Sequence, residues 1–218
     1  MADIFDLFKQ IAAKNPSPST PPTHIIAGLG NPGKEYEKTR HNAGFMALDH
    51  LAAKLGVDVS RSRFNALCGD AMLGETRVLL MKPLTYMNAS GEAIRAAMDF
   101  YKIPAENVLV LVDDICQDPG RMRVRGNGSD GGQRGLRSII RETGTDAFPR
   151  IRFGVGQKPH PQYDLADWVL GVLPAEDMKK LQTCFPLVEE AARMIFAGKM
   201  DAAMGLCNGH RPASEEKK

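Results

Sequence analysis

Histidine, aspartate and asparagine residues occur where the chain passes between a predicted strand and a predicted helix. Asn31 and His41 flank a charged loop that follows a short apolar strand over residues 25–27. Asn88 lies in the polar segment that follows a later strand, and Asp113 comes directly after another. A histidine paired with a carboxylate can act as a general base, because the carboxylate fixes the ring tautomer and the other nitrogen accepts a proton from water. Asparagine amides can orient that water or stabilise an oxyanion, so these residue types suit a hydrolytic site.

Each of these residues, taken alone, also has an ordinary structural explanation. A histidine before a helix is often a capping or core residue, and Asn88 close to Ser90 suits a turn. An aspartate at the end of a strand, such as Asp113, is often a capping residue. The sequence contains no G-x-S-x-G nucleophile elbow, which favours direct attack by water over a covalent intermediate.

Gly28, Gly30 and Gly33 fit the G-x-G-x-x-G pattern of a dinucleotide-binding turn. That site requires the last glycine to open a helix whose N-terminus faces the pyrophosphate. Here the following KEYEK segment has no apolar periodicity, and the next helix is predicted only from about Asn42. Asp49 lies near the distance expected of a ribose ligand, but the helical pattern places it on the surface. A dinucleotide site is therefore disfavoured, and a plain glycine-rich turn remains an alternative.

The overall composition is that of an ordinary globular protein with one full core: 218 residues, 43% hydrophobic and 25% charged. The net charge of +2 says little about partners, but its distribution is uneven. Residues 121–152 contain eight arginines and three acidic residues, a local excess of five positive charges. Such a segment suits a polyanion, although a solvated surface can have the same composition.

The four cysteines form no C-x-x-C pair and have no histidine at metal spacing, which predicts reduced thiols in a cytoplasmic protein. No apolar run approaches 18 residues, so we expect no membrane partner. The N-terminus also lacks the charged region and cleavage site of a signal peptide.

Three segments are predicted. Residues 1–23 form a short amphipathic helix over 1–14 followed by a linker rich in proline and serine, residues 24–210 form one domain, and residues 211–218 form a polar tail. The helix over residues 1–14 is interpreted as an accessory element, with a partner-docking segment as the alternative. In the domain, β-branched and leucine residues over 108–112 predict a strand that is buried on both faces.

The predicted fold class is α/β: a single-domain sandwich with a mixed, mostly parallel central sheet flanked by helices. The glycine-rich residues 126–135 and the Pro- and His-containing residues 157–166 are predicted as loops, and Ser90-Gly91 as a helix cap. Strands are expected over residues 66–73, 77–82, 108–112, 120–125 and 150–155, with a hairpin at Gly74-Glu75. Helices are expected to start near residues 42, 90 and 136, with others over 176–197 and 201–207.

Taken together, these motifs resemble the bacterial-type peptidyl-tRNA hydrolases over about nine-tenths of the chain. The matching segments are GLGNPGKEYEKTRHNAGF, KPLTYMNASGEAI, VLVLVDDICQDPG, GNGSDGGQRGLRSII and RIRFGVG followed by WVLGVLP. The pair GNPGxxYxxTRHNxG and TYMNxSG is highly specific. Relatives with a different role are organellar splicing factors, which keep this fold and bind RNA without hydrolysis.

The resemblance implies an esterase that cuts the bond between a peptide and the 3′-terminal ribose of tRNA. It implies that His41 is the general base, that Asp113 orients and polarises it, and that Asn31 and Asn88 position substrate and water. Two further cleft residues are implied, Tyr36 and Met87. The same resemblance implies a monomer that needs no metal or cofactor.

The resemblance also implies that Arg125 and Arg152 clamp the 5′-phosphate of tRNA, which agrees with the local excess of positive charge. Gln133-Arg134 differs from the His-Asn pair that is usual in the family. Arg134 is therefore predicted as a tRNA contact through phosphate or ribose, with a solvent-facing side chain as the alternative. The loop over residues 116–119 and the N-terminal extension are atypical too. A non-catalytic RNA-binding protein on this fold remains the second hypothesis, although it need not keep both His41 and Asp113.

Overall fold

A computed structural model describes residues 20–212, so the predicted helix over residues 1–14 and most of the polar tail lie outside the described residues. Within that range, seven strands form one sheet in the order β2-β3-β4-β1-β5-β7-β6. The strands are β1 (His24–Gly28), β2 (Arg61–Arg63), β3 (Ala66–Leu73), β4 (Thr76–Pro83), β5 (Val108–Asp114), β6 (Met122–Arg125) and β7 (Arg150–Gly154).

Helices flank this sheet, and three of them connect successive strands. They are α1 (Ala43–Lys54), α2 (Ser90–Tyr101), α3 (Arg134–Thr143), α4 (Leu165–Leu170), α5 (Ala175–Gln182), α6 (Val188–Phe196) and α7 (Met200–Asn208). Short 3-10 turns precede α1, α2, β5 and α6. Among the described residues, no helix is long and apolar enough to cross a membrane.

The mixed sheet that the sequence predicts is confirmed, and its parallel part is central. β1 pairs in parallel with β4 and β5, and β5 pairs in parallel with β7. β2–β3, β3–β4 and β6–β7 pair antiparallel. Parallel pairing therefore predominates only in the four inner strands. The two kinds are equal in number over the whole sheet, because the strands at both edges pair antiparallel.

Both faces of the sheet are buried, as the apolar run in β5 predicts. Leu109 and Leu111 pack into a core with α1, α6 and α7, whereas Val108, Val110 and Val112 pack into a second core with α2 and α3. Successive side chains of a strand point to opposite faces, so this alternation gives a three-layer arrangement. The fold class is thereby confirmed as an α/β sandwich.

The element boundaries differ from the predictions in a few places. Ser90 does not cap α2, since its hydroxyl donates to the Met87 carbonyl at 3.0 Å and it is itself the first helical residue. The helix expected over residues 176–197 is interrupted by a 3-10 turn at Phe185–Leu187 that contains Pro186. α4 begins within the last two residues of the predicted loop over 157–166, and the three-residue strand β2 was too short to predict.

Two glycines bring α1 directly against the centre of the sheet. A Cβ atom added at Gly44 would lie 2.2 Å from the Leu111 carbonyl oxygen, and one added at Gly28 would lie 2.5 Å from the Gly44 carbonyl oxygen. Neither position has room for a larger residue. The glycines therefore allow the start of α1, and the 3-10 turn Arg40–Asn42 before it, to approach the end of β5.

Candidate active site

His41 and Asp113 meet at the carboxyl end of the parallel strands. His41 lies in the 3-10 turn before α1, Asp113 lies near the end of β5, and His41 Nδ1 is 3.0 Å from Asp113 Oδ1. Both side chains are buried. A carboxylate can only accept, so Nδ1 carries the proton and Nε2 carries the lone pair of a base. The structure thus brings together the two residues that the sequence pairs.

The pKa of His41 is raised above its ordinary value of 6.5. Burial lowers the pKa of this imidazole and is the largest single influence, but the charge of Asp113 and its hydrogen bond together outweigh burial. The positive charge of Arg134 opposes the rise in the His41 pKa. The pair therefore strengthens His41 as a proton acceptor relative to the same ring buried without a carboxylate.

Asn31 is held by three hydrogen bonds to two residues, Asn42 and Met87. Its backbone N–H donates to Asn42 Oδ1 at 2.8 Å, and Asn42 Nδ2 donates to the Asn31 carbonyl at 3.0 Å. The backbone N–H of Met87 donates to Asn31 Oδ1 at 2.8 Å. Because Oδ1 is used in this way, the Asn31 amide has its Nδ2 donors to offer, which suits a carbonyl oxygen or an oxyanion.

Gln133 connects Asp113 to α3. Its Nε2 donates to Asp113 Oδ1 at 3.0 Å and lies 3.2 Å from Met87 Sδ, while its Oε1 accepts from the Leu136 backbone N–H at 2.8 Å. Gln133 is buried and serves as the N-cap of α3. It therefore donates to the same Asp113 oxygen that His41 contacts, a role that its position in a glycine-rich loop did not reveal.

An open cleft of about 400 Å³ surrounds these side chains. All six of the residues predicted for catalysis and substrate binding line it: Asn31, Tyr36, His41, Met87, Asn88 and Asp113. Apolar residues of α4 form one wall, and Tyr86, which is largely exposed, lies on the rim. No serine, threonine, cysteine or lysine lines the cleft within residues 20–212, which favours water as the nucleophile.

The predicted tRNA-binding arginines occupy different surroundings. Arg134 is exposed and lines the cleft, and Arg152 lines it too, with its Nε 3.1 Å from Asp114 Oδ2. Arg125 is half-buried in β6 and does not line the cleft, and its Nη1 donates to the neighbouring Val124 carbonyl at 2.9 Å.

The local excess of five positive charges overstates the number of charges that an RNA could contact. Arg150 is buried and donates to the carbonyl groups of Gly128 and Asp146. Burial lowers the pKa of Arg150 to about 10. Composition alone could not distinguish this internal arginine from the exposed ones.

The glycine pattern around Gly33 does not build a dinucleotide site. A three-residue 3-10 turn, Lys34–Tyr36, follows Gly33 in place of a helix, so the last glycine of the pattern does not open a helix. Asp49 is exposed on α1, where it accepts from Lys82 Nζ. Among residues 20–212, no group of three or more His, Cys, Asp or Glu side chains is placed to hold a metal ion.

The α/β sandwich and a buried histidine–aspartate pair in an open cleft are the features expected of a hydrolase. The sequence model of one family, peptidyl-tRNA hydrolase, matches residues 25–216. The chain belongs to the peptidyl-tRNA hydrolase family, which confirms the predicted family and the predicted class of enzyme.

Individual relatives agree with this assignment. The chain is 48% identical over 186 residues to a peptidyl-tRNA hydrolase of Lachnospira eligens, covering 85% of this chain and 100% of that one. It is 45% identical over 185 residues to one of Clostridium perfringens, covering 85% and 97%. The crystal structure of peptidyl-tRNA hydrolase from Acinetobacter baumannii is 32% identical and superposes with a TM-score of 0.81, covering 89% of this chain and 100% of that one.

Proposed function

We propose that the protein cleaves the ester bond between a peptide and the 3′-terminal ribose of tRNA, using a water molecule that His41 activates. The observation that carries this proposal is the buried contact of 3.0 Å between His41 Nδ1 and Asp113 Oδ1 in an open cleft. This contact fixes the tautomer in which Nε2 accepts a proton from water.

The reaction proceeds in two steps. Water attacks the ester carbonyl carbon as its proton passes to His41 Nε2, which gives a tetrahedral intermediate and an imidazolium ion stabilised by Asp113. The bond from the carbonyl carbon to the ribose 3′ oxygen then breaks, and the imidazolium returns its proton to that oxygen. The products are a peptide with a free carboxyl group and a tRNA with a free 3′ hydroxyl.

Amide groups around the cleft account for substrate selection in this proposal. Asn31 offers its Nδ2 donors, because its Oδ1 accepts from Met87. Asn88 directly follows Met87 in the chain and is exposed. These donors suit the carbonyl of a peptide bond close to the ester, while Tyr36 and Met87 contribute surface to the cleft. A site that hydrogen-bonds a peptide group discriminates against aminoacyl-tRNA, which lacks one.

The tRNA itself would be held by arginines that a phosphate can reach. Arg134 and Arg152 line the cleft, and Arg125 lies in β6. We assign all three to RNA contact. Guanidinium groups pair well with phosphate oxygens, and such binding weakens as salt rises. We further expect the protein to be cytoplasmic and monomeric. Sedimentation of the purified protein with and without tRNA would test the oligomeric state.

The experiment compares N-acetylated aminoacyl-tRNA with the same aminoacyl-tRNA carrying a free amino group, with chelator present and no added metal. Wild-type protein should release only the blocked amino acid. His41→Ala should lower kcat by about 10²–10⁴-fold while tRNA binding persists. His50→Ala is the matched control, because His50 is exposed on α1 and does not line the cleft.

The alternative, an RNA-binding protein on the same fold, gives a different result. Tight tRNA binding without release from either substrate would favour it. The presence of both His41 and Asp113 in hydrogen-bonding contact argues for the enzyme, because an RNA-binding role needs neither.

A further inference from the structure

Arg40 directly precedes the catalytic histidine, yet it points away from the reaction. It is only 6% exposed, and its guanidinium carbon lies 3.6 Å from the centroid of the Trp168 ring. Its Nη1 is 3.4 Å from the Trp168 carbonyl oxygen and 3.3 Å from the Val172 carbonyl oxygen. A single side chain thus contacts the ring and the backbone of the segment that contains α4.

The backbone on either side of Arg40 contacts the same segment. The Arg40 N–H donates to the Gly171 carbonyl at 3.1 Å, and the Leu173 N–H donates to the Lys38 carbonyl at 2.9 Å. Thr39 and Val172 form an antiparallel bridge between these two bonds. The chain around Arg40 and the chain after α4 are therefore joined by side-chain and main-chain contacts together.

α4 is a wall of the cleft, so these contacts bear on the substrate. Four apolar residues of this short helix line the cleft beside His41: Leu165, Ala166, Val169 and Leu170. Trp168 lies on α4 between them and is fixed a second time, because its Nε1 donates to the Gly156 carbonyl at 2.9 Å. The helix has only six residues, and a helix of that length depends on tertiary contacts for its stability.

A buried arginine is a costly way to make such contacts. Its Nε is buried without a hydrogen-bond partner among the described residues. Burial lowers the pKa of Arg40, and the charge of Asp177 opposes that effect only in part. An apolar side chain of similar length would avoid this desolvation but could not stack on an indole face and donate to two carbonyls at once.

We propose that Arg40 is a positioning residue that holds α4 against the His41 turn, so that the substrate meets a preformed wall of the cleft. This inference rests on the proposed function. It assigns Arg40 to substrate binding and leaves proton transfer to His41, which is oriented separately by Asp113. The turn that carries His41 is also held from its other end, by the mutual hydrogen bonds of Asn42 and Asn31.

The chain contains a single tryptophan, Trp168, so its fluorescence reports on this contact directly. We would measure acrylamide quenching and steady-state hydrolysis of N-acetylated aminoacyl-tRNA for Arg40→Met and Arg40→Lys. The matched control is Arg95→Met, since Arg95 is exposed on α2 and pairs with Asp99 away from the cleft. Thermal unfolding would identify any variant that fails to fold, and Arg40→Lys serves as the milder substitution.

Arg40→Met should raise the quenching constant and increase KM about 10-fold, with kcat within about 3-fold of wild type. The pH dependence of kcat should be unchanged, because the surroundings of His41 stay intact. Arg40→Lys should be intermediate, since an ammonium keeps the charge but lacks the planar stack. Arg95→Met should match wild type in both measurements.

A double-mutant cycle sharpens the test. If Arg40 acts through Trp168, then Arg40→Met should raise KM far less in a Trp168→Leu background than in the wild type. Equal effects in both backgrounds, unchanged quenching in a folded Arg40→Met protein, or a loss confined to kcat would each overturn the inference. Failure of the wild-type protein to hydrolyse the substrate would refute the proposed function instead, and the quenching comparison would still report whether Arg40 holds α4.

Discussion

The floor and the rim of the cleft differ in burial and in the number of hydrogen bonds that hold their side chains. The floor consists of Asn31, His41, Asp113 and Gln133, which are at most 8% exposed and are joined to one another or to the backbone by hydrogen bonds. The rim consists of side chains that are exposed or half-buried: Tyr36, Tyr86, Asn88 and Arg134. Both regions line one cleft, yet only the floor is fixed by multiple partners.

This difference separates two tasks. Proton transfer and oxyanion stabilisation depend on sub-ångström placement, which buried and fully bonded groups provide. Contact with a large polyanion is distributed over exposed charges, and each contributes a modest energy that salt screens. We therefore expect substitutions in the floor to change kcat, and substitutions in the rim to change binding and its salt dependence.

The largest effect is expected for Asp113→Asn. It removes the carboxylate that fixes the His41 tautomer, so kcat should fall about 10²–10⁴-fold with tRNA binding nearly intact. Asp99→Asn is the matched control, because Asp99 is exposed on α2. A kcat within about 3-fold of wild type in Asp113→Asn would contradict the assignment of the catalytic pair.

The same variant tests the direction of the His41 pKa shift. If His41 is the base, it acts when unprotonated, so kcat/KM of the wild type should rise with pH through a midpoint above 6.5. Without Asp113 only burial and Arg134 remain, and both lower the His41 pKa, so the midpoint should move to lower pH. Because the folded-state pKa is raised, the pair stabilises the wild type fully below pH 6.5 and loses that contribution as pH rises through the folded-state value.

A smaller effect on kcat, about 10-fold, is expected for Gln133→Met. The substitution removes the donor to Asp113 Oδ1 and also the acceptor that caps α3, which should cost about 1 kcal/mol of stability. Gln133→Glu keeps the capping acceptor but places a carboxylate against Asp113. We expect kcat to fall in both variants and stability to fall only in Gln133→Met, which loses the cap. That result would assign the effect on kcat to the contact with Asp113. Wild-type kcat in Gln133→Met would refute it.

On the tRNA side, Arg125→Ala should weaken tRNA binding several-fold and leave kcat within about 2-fold. The slope of log affinity against log salt should become shallower by about one, the change expected for loss of one phosphate contact. Binding titrations at several salt concentrations would measure it, with Arg95→Ala as the control on α2. An unchanged slope would remove Arg125 from the interface.

The smallest effect is expected for Arg134→Gln. The charge of Arg134 lowers the His41 pKa, so its removal should move the midpoint of kcat/KM to higher pH by less than about one unit. Because Arg134 is exposed, this difference should shrink as salt rises. A shift to lower pH would show that another group governs the acid limb.

Local patterns determined much of this molecule in advance. The apolar run in β5 predicted a strand buried on both faces, and the segments around Gly74 predicted the β3–β4 hairpin, because strand periodicity and turn chemistry are local properties. The types of His41 and Asp113 predicted general-base chemistry. Their positions at strand and helix ends placed them at the correct edge of the sheet before any contact was known.

Only the tertiary structure decided which side chains meet. Gln133 reaches Asp113 across 20 residues, Asp114 binds Arg152 across 38, and Arg40 stacks on Trp168 across 128. Burial likewise separates Arg150 from the exposed arginines near it in sequence. These contacts depend on how closely α1, α3 and α4 approach the end of β5, and that packing arises from the whole core. The sequence therefore determined which chemistry the protein can perform, and packing determined which residues hold the groups that perform it.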